Sequence, residues 1–297
     1  MSRSLFRICL FLCLTLFGPA SHAALDAEES SWNQPVTPFR MIGNIYYVGA
    51  SDVTSYLIVT PKELILLDGG FAETAPQVEA NIRTLGYKLS DVKVLLNSHA
   101  HYDHAGGLAA LKRMTHATFE ASAADSVLLA NGGKGDFSFG DKHPYAPVRA
   151  DRILQDGDRV ELGGTTMTAH LTPGHTKGCT TWTMQVMEEG KPHDVVFLCS
   201  VSILDYPLVN NSAYPGIATD FTHTFATLKS LPCDVFLGAH GRYYGLQEKM
   251  ARMQKHEPGN PFIDPEGYRQ YLDKAEADFK QKLEAQQKAA SAAHPGA

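Results

Sequence analysis

The chain has few cysteines, no basic stripe and no apolar run long enough to cross a bilayer, and each shortage removes a class of protein. The formal charge is −6, and lysine and arginine are scattered rather than clustered. Nucleic acid is therefore not an expected partner, since phosphate contacts need grouped cations. The apolar stretch from Ile8 to Phe17 is ten residues long. A membrane-spanning helix needs about twenty. The glycine-rich stretch from Gly132 to Pro147 lacks a phosphate-loop pattern. It reads as a surface loop, with a flap over a site as the alternative. What remains is an ordinary globular composition, 44% hydrophobic and 20% charged over 297 residues.

Residues 1–23 read as an export signal. Arg3 and Arg7 precede the short apolar core, and Ser21-His22-Ala23 supplies a small-x-small cleavage pattern before Ala24. No cysteine lies just after that point, so no lipid anchor and no stable membrane attachment are expected. Removing two arginines and no acids takes the charge from −6 to −8. The expected location is a bacterial periplasm. Residues 24–297 show no linker long enough to divide them and read as one domain, expected to be monomeric, with a C-terminal helix and a frayed tail.

Cys9 and Cys13 leave with the signal, so Cys179, Cys199 and Cys233 remain in an oxidising compartment. Thr180 to Val186 and Val195 to Leu198 are strand-like, and Met187 to Asp194 between them is polar with Gly190 and Pro192. Cys179 and Cys199 are equally far from Glu189, so an antiparallel hairpin predicts a disulfide between them. Cys233 then stays unpaired as a small buried residue.

Ala24 to Phe39 reads as an extended arm. Met41 to Val48, Ser55 to Val59, Glu63 to Leu67, Val92 to Leu96 and Thr118 to Ala121 read as strands, and so do Val160 to Leu162 and Thr166 to Leu171. Thr74-Ala75-Pro76-Gln77 resembles a capping box before a helix with Val78, Ile82 and Leu85 on one face. Ala105 to about Met114 and Ala123 to Ala130 read as helices. Asp220 is placed to cap a helix over Phe221 to Ser230, and Asp234 to His240 is a further strand. Tyr268, Tyr271, Leu272, Ala275, Phe279 and Leu283 mark the terminal amphipathic helix.

The chemistry gathers at the ends of strands. The run His99-Ala100-His101-Tyr102-Asp103-His104 follows a buried strand and leads into a helix. Three imidazoles and a carboxylate within six residues form the donor set that zinc prefers. His99 and His101 share one side of an extended segment. Asp103 and His104 fall where the chain turns and can serve a second locus. His175 and His240 also lie just past strand ends. The six divide into two sets of three: His99, His101 and His175, and Asp103, His104 and His240. Three protein donors leave an open position, the mark of a catalytic site. Two adjacent zinc ions could share a water, lower its pKa and polarise a carbonyl. Asp68, at a strand end before Gly69-Gly70, reads as a turn residue or as a partner that orients a ligand histidine.

His99-x-His101-x-Asp103-His104, with Pro173-Gly174-His175 and the later His240, resembles the metallo-β-lactamase superfamily. The resemblance implies an α+β fold, an αββα sandwich of two mixed β-sheets face to face with helices outside, and two Zn²⁺ along one edge. Many hydrolases of that family, glyoxalase II and lactonase relatives among them, carry a bridging Asp at the place of Cys199-Ser200. This chain has no carboxylate there. One β-lactamase subclass uses a Cys ligand in that region, with Arg where this chain has His104; a shift of one position would make Cys199 such a ligand. With His104 present, the chain looks like subclass B3, and Gly174-His175-Thr176-x-Gly178-Cys179-Thr180-Thr181-Trp182 fits that subclass. The resemblance implies a small-molecule β-lactam substrate whose ring amide is hydrolysed by zinc-activated water oriented by Asp103. Ser200 and Ser202 would hold the substrate carboxylate, and Tyr206 would assist the carbonyl oxygen. Another hydrolase of the same fold, a lactonase or related esterase, is the alternative.

Overall fold

The structure, a computed structural model, describes residues 25–293, so the export signal expected over residues 1–23 lies outside the described residues. The first helix, α1 (Ala27–Trp32), lies in the stretch expected to be extended. Asp26 accepts the Glu29 N–H and Glu29 accepts the Asp26 N–H, both at 2.8 Å, a reciprocal cap legible in the spacing Asp-x-x-Glu. The stretch read as one strand from Met41 to Val48 is a hairpin, β1 (Phe39–Ile42) and β2 (Ile45–Tyr47), turned at Gly43 with φ +50°. Then follow β3 (Tyr56–Val59), β4 (Leu64–Leu67), α2 (Ala75–Thr84), β5 (Val92–Leu96), α3 (Tyr102–Ala105), α4 (Leu108–Thr115), β6 (Thr118–Ser122) and α5 (Ala123–Ala130). The second half carries β7 (Arg152–Leu154), β8 (Arg159–Leu162), β9 (Thr165–Leu171), β10 (Thr180–Glu188), β11 (Lys191–Leu198), α6 (Ile217–Ser230), β12 (Val235–Gly238), α7 (Leu246–Gln254) and α8 (Pro265–Ala293).

Strands β1 to β7 form one sheet in sequence order, and the other runs β12-β11-β10-β9-β8. Both are mixed. In the first, β4 to β7 pair in parallel; in the second, only β11 and β12 do. The alternation of a strand decides which core each residue joins. Ile65, Leu67, Val94 and Leu96 face the interior with Met167, Ala169, Trp182 and Met184 of the other sheet. Leu66, Leu95 and Phe119 face outward onto Val78 and Ile82 of α2 and Leu108 and Leu111 of α4. Phe221 and Phe225 of α6 meet Phe279 of α8 at ring centroids of 5.5 and 5.7 Å. Each fully buried Leu or Ile contributes about 1.5–3 kcal/mol. The result is the αββα sandwich expected from the sequence.

Local capping departs from expectation in three places. The Thr74 hydroxyl donates to Asn33 Oδ1 at 2.6 Å, so no capping box forms at α2. Helix α6 starts at Ile217, and Asp220 within its first turn accepts the Tyr214 hydroxyl at 2.6 Å instead of capping. The alanine-rich stretch after Gln286 continues α8 to Ala293 rather than fraying, and Gln286 accepts the Leu208 N–H at 2.6 Å.

The hairpin β10–β11 turns through Glu189 and Gly190, both at positive φ. The Cys179–Cys199 disulfide is present, with Cα atoms 5.9 Å apart. Its placement differs from expectation in one respect. Trp182 pairs with Phe197, and that register continued puts Cys179 opposite Ser200 rather than Cys199. The ladder ends before the cysteines, and the freed backbone lets the sulfurs meet. Cys233 is free, and it is half-buried rather than buried. Among the described residues no helix is long and apolar enough to cross a membrane.

Candidate metal centre

Strand β5 delivers Asn97 to His101 to one edge of the sandwich, and α3 begins at once, with His101 as its N-terminal flanking residue. The turn is held from both sides by carboxylates. Asp68, at the end of β4, accepts the Ser98 N–H at 2.7 Å and the Asn97 amide at 3.0 Å. It does so at φ +64°, a strained conformation for a residue with a side chain. Asp125 of α5 accepts the Ala100 N–H at 2.9 Å, the Thr176 hydroxyl at 2.9 Å and the Gly178 N–H at 2.8 Å. One buried carboxylate thus ties the His99–His101 turn to the His175 loop. Burial pushes its pKa up to about 6, against the pull of these three donors.

Two glycines let the backbones approach. A Cβ on Gly107 would lie 2.2 Å from the Gly69 carbonyl oxygen, which keeps the turn against the end of β4. Gly174 sits at φ +136° with its Cα over the Phe221 ring, where a Cβ would come to 2.8 Å. This lets the chain leave β9 and present His175 inward.

The six residues singled out in the sequence converge, and all are buried. Donor atoms of His99, His101 and His175 all lie within 4.8 Å of one another. His101 Nδ1 is 3.1 Å from His175 Nε2. At the adjoining locus His104 Nε2 is 3.2 Å from His240 Nε2, and Asp103 Oδ2 lies 3.2 and 3.4 Å from those two nitrogens. Donor atoms of His99, Asp103 and His104 also lie within 4.8 Å of one another, so the two loci adjoin at His99. Cys199 is engaged in the disulfide, which removes it as a thiolate donor.

The outward-facing nitrogens are directed at acceptors. His175 Nδ1 donates to the Ser202 carbonyl at 2.8 Å, and His240 Nδ1 lies 2.9 Å from Asp52 Oδ2. His104 Nδ1 is 3.8 Å from Asp68 Oδ2, and His101 Nε2 is 3.6 Å from Asp136 Oδ2. Both are buried without a hydrogen bond among the described residues. Acceptors on the outer nitrogens favour protons there and leave lone pairs on the inner ones. With the protons held outside, the inner nitrogens 3.1 and 3.2 Å apart turn lone pairs toward a common point, so this donor set fits metal ions.

Electrostatics agree. Burial first, then the neighbouring imidazoles, hold His99 and His175 well below the usual histidine pKa, so both imidazoles are neutral at pH 7. Burial opposes charge on Asp103 as well, but His104 and His240 outweigh it and keep the carboxyl well below its usual range. At His240 the hydrogen bonds to Asp103 and Asp52 outweigh burial and raise the pKa.

Ser200 and Ser202 both bond the Tyr243 hydroxyl, at 3.0 and 3.2 Å, and the Tyr243 ring lies 5.3 Å from that of His240. The Tyr206 hydroxyl donates to the Ser202 carbonyl at 3.2 Å, the same oxygen that His175 uses. The stretch from Gly132 to Pro147 is not a plain surface loop. Phe139 packs its ring 4.9 Å from that of His101, Phe137 lies against Tyr206 and Tyr214, and the Tyr145 hydroxyl donates to the Ala100 carbonyl at 2.6 Å. Asp52, Asp125, Asp136 and Tyr243 were not singled out in the sequence. Each meets its partner across a long separation, which leaves no local signal.

A metal-binding edge on an αββα sandwich defines a class. The metallo-β-lactamase superfamily model matches residues 48–240, and the chain belongs to that family as a hydrolase. Its structure is similar to native FEZ-1 metallo-β-lactamase from Legionella gormanii, 43% identical, covering 86% of this chain and 98% of that one with a TM-score of 0.84. It is also similar to BJP-1, a subclass B3 metallo-β-lactamase of Bradyrhizobium japonicum, 40% identical, covering 87% and 98% with a TM-score of 0.81. Among curated relatives, hydroxyacylglutathione hydrolase of Pseudomonas aeruginosa is 35% identical over 92 residues, 31% of this chain and 27% of that protein. The chain thus spans 39% of the length of a probable metallo-hydrolase of Burkholderia pseudomallei and 27% of that hydroxyacylglutathione hydrolase.

Proposed function

We propose that this protein hydrolyses the amide bond of β-lactam antibiotics, with two zinc ions, and so confers resistance. The observation that carries the reading is the end of β11. Cys199 is locked in a disulfide and Ser200 follows, so the end of β11 offers no carboxylate between the two loci, and Asp103, His104 and His240 meet beside the first three histidines. His99, His101 and His175 would hold one zinc, and Asp103, His104 and His240 the other. When bound, zinc supplies a Lewis acid that lowers the pKa of water and polarises a carbonyl. The rest is done by the chain. Asp103 accepts a hydrogen of the attacking water and aims its oxygen at the carbonyl carbon; as that C–O bond forms the ring C–N bond breaks, and the water's proton ends on the ring nitrogen. Ser200 and Ser202 receive the substrate carboxylate from hydroxyls already placed by Tyr243. Tyr206 reaches the carbonyl oxygen by giving up its bond to the Ser202 carbonyl. Phe137 and Phe139 wall the site against bulk water. Residues 1–23 serve as a cleaved export signal, and the protein works in the periplasm.

The test is turnover of a carbapenem and a chromogenic cephalosporin by the zinc-loaded protein, with and without chelator. Chelator-sensitive hydrolysis of either is expected, and His175→Ala should abolish it while the circular dichroism spectrum is kept. A second reading has one observation in its favour, the sequence similarity to hydroxyacylglutathione hydrolases. Under that reading the zinc-loaded protein leaves both β-lactams intact and cleaves a thioester or a lactone.

A further inference from the structure

The loop between α5 and β7 places one carboxylate against the metal centre from outside the strand ends. Asp136 is buried, and its two oxygens have different partners. Oδ1 accepts the Ser138 and Phe139 N–H groups, each at 2.7 Å. Oδ2 is left to face His101 Nε2 at 3.6 Å, a nitrogen that is itself buried and has no hydrogen bond.

We propose that Asp136 is the positioning residue for His101: its Oδ2 keeps the proton on Nε2, so that Nδ1 turns its lone pair toward His99 and His175. The inference rests on the reading of His101 as a metal ligand. It follows the pattern of the other histidines, where the Ser202 carbonyl serves His175 and Asp52 serves His240. The difference is the source of the acceptor. Asp136 belongs to a loop whose Phe139 covers the His101 ring and whose Tyr145 is anchored on Ala100. The same segment that walls the site therefore sets the tautomer of one ligand, and displacing the loop weakens that ligand.

A plainer role would use Oδ1 alone, as a turn residue accepting two backbone N–H groups. The substitution Asp136→Asn separates the two roles. An Asn keeps the turn by accepting both N–H groups through its amide oxygen. Its NH₂ then faces His101 Nε2 and favours the lone pair there, which moves the proton to Nδ1. The experiment is zinc titration of the metal-free protein against a chromophoric chelator, for the parent chain, Asp136→Asn and Asp136→Ala. It is paired with ¹⁵N imidazole NMR of the metal-free protein and with Tm. Asp136→Asn is expected to keep its metal-free Tm and the hydrogen-exchange protection of residues 132–147. Its affinity for one of the two zinc ions should fall about 10- to 100-fold. His101 should change from the Nε2-protonated to the Nδ1-protonated form, and Asp136→Ala should lose both zinc affinity and loop protection. Unchanged affinity for both zinc ions, with an unchanged His101 tautomer in Asp136→Asn, overturns the proposal. If His101→Ala leaves zinc binding intact, it is the ligand reading that fails, and the NMR tautomer alone then decides the role of Asp136.

Discussion

Asp125 shows how much one side chain can organise. It sits on α5, 25 positions from Ala100 and 53 from Gly178, and accepts a hydrogen bond from each as well as from Thr176. Removing a buried acceptor leaves its donors without partners, at about 1–3 kcal/mol for each unsatisfied group. Asp125→Ala strands two backbone N–H groups and a hydroxyl at the junction of the two histidine loops. A loss of at least about 3 kcal/mol in urea unfolding is expected, with an unchanged m-value. A variant within about 1 kcal/mol of the parent would mean that water replaces the carboxylate and that the tie between the loops is not structural. At this scale the histidines were legible because local spacing sets their geometry: His99 and His101 share one side, and Asp103 and His104 follow at the turn. Asp52, Asp125 and Asp136 were not, because an isolated acid carries no sign of the partner it will meet across the fold.

At the scale of elements, the hairpin β10–β11 was read correctly from its composition, and its disulfide from symmetry about Glu189. The two cysteines do pair, but in another register than symmetry about Glu189 implies. The two-residue turn at Glu189 and Gly190 sets a ladder in which Cys179 falls opposite Ser200, and only the irregular backbone beyond Thr180 and Leu198 brings the sulfurs together. Turn geometry is fixed by backbone dihedrals that composition only suggests, which is also why the Gly43 hairpin was read as one strand. The bridge closes a segment of sequence separation 20 beside His175 and Ser200. Chain entropy gives such a closure about 3 kcal/mol. The double substitution Cys179→Ser with Cys199→Ser should therefore lower unfolding stability by roughly that amount. It should also lower zinc affinity, since the His175 loop loses its tether. Unaltered stability on reduction of the parent would show that the β10–β11 ladder alone holds these loops.

For the whole molecule, the two sheets contribute unequally to one edge. The first supplies His99, His101, Asp103 and His104 after β5, and the second supplies His175 after β9 and His240 after β12. Each proposed zinc therefore takes donors from both sheets and acts as a clamp across the sandwich. Without it, the inner nitrogens 3.1 and 3.2 Å apart are held together only by shared protons. A ligand bound only by the folded state stabilises by RT ln(1 + [L]/Kd), which is about 4 kcal/mol at a thousandfold excess over Kd. For a chain of this size each kcal/mol moves Tm by roughly 2–4 °C. Chelation should therefore lower Tm by about 10 °C, and readdition of zinc should restore it, with the shift growing with zinc concentration. The variant His240→Ala should lose part of that dependence, because one clamp opens while the other remains. A Tm indifferent to zinc in the parent would mean that the histidines from the two sheets meet without binding a shared ion, and would remove the basis for the catalytic reading along with the clamp.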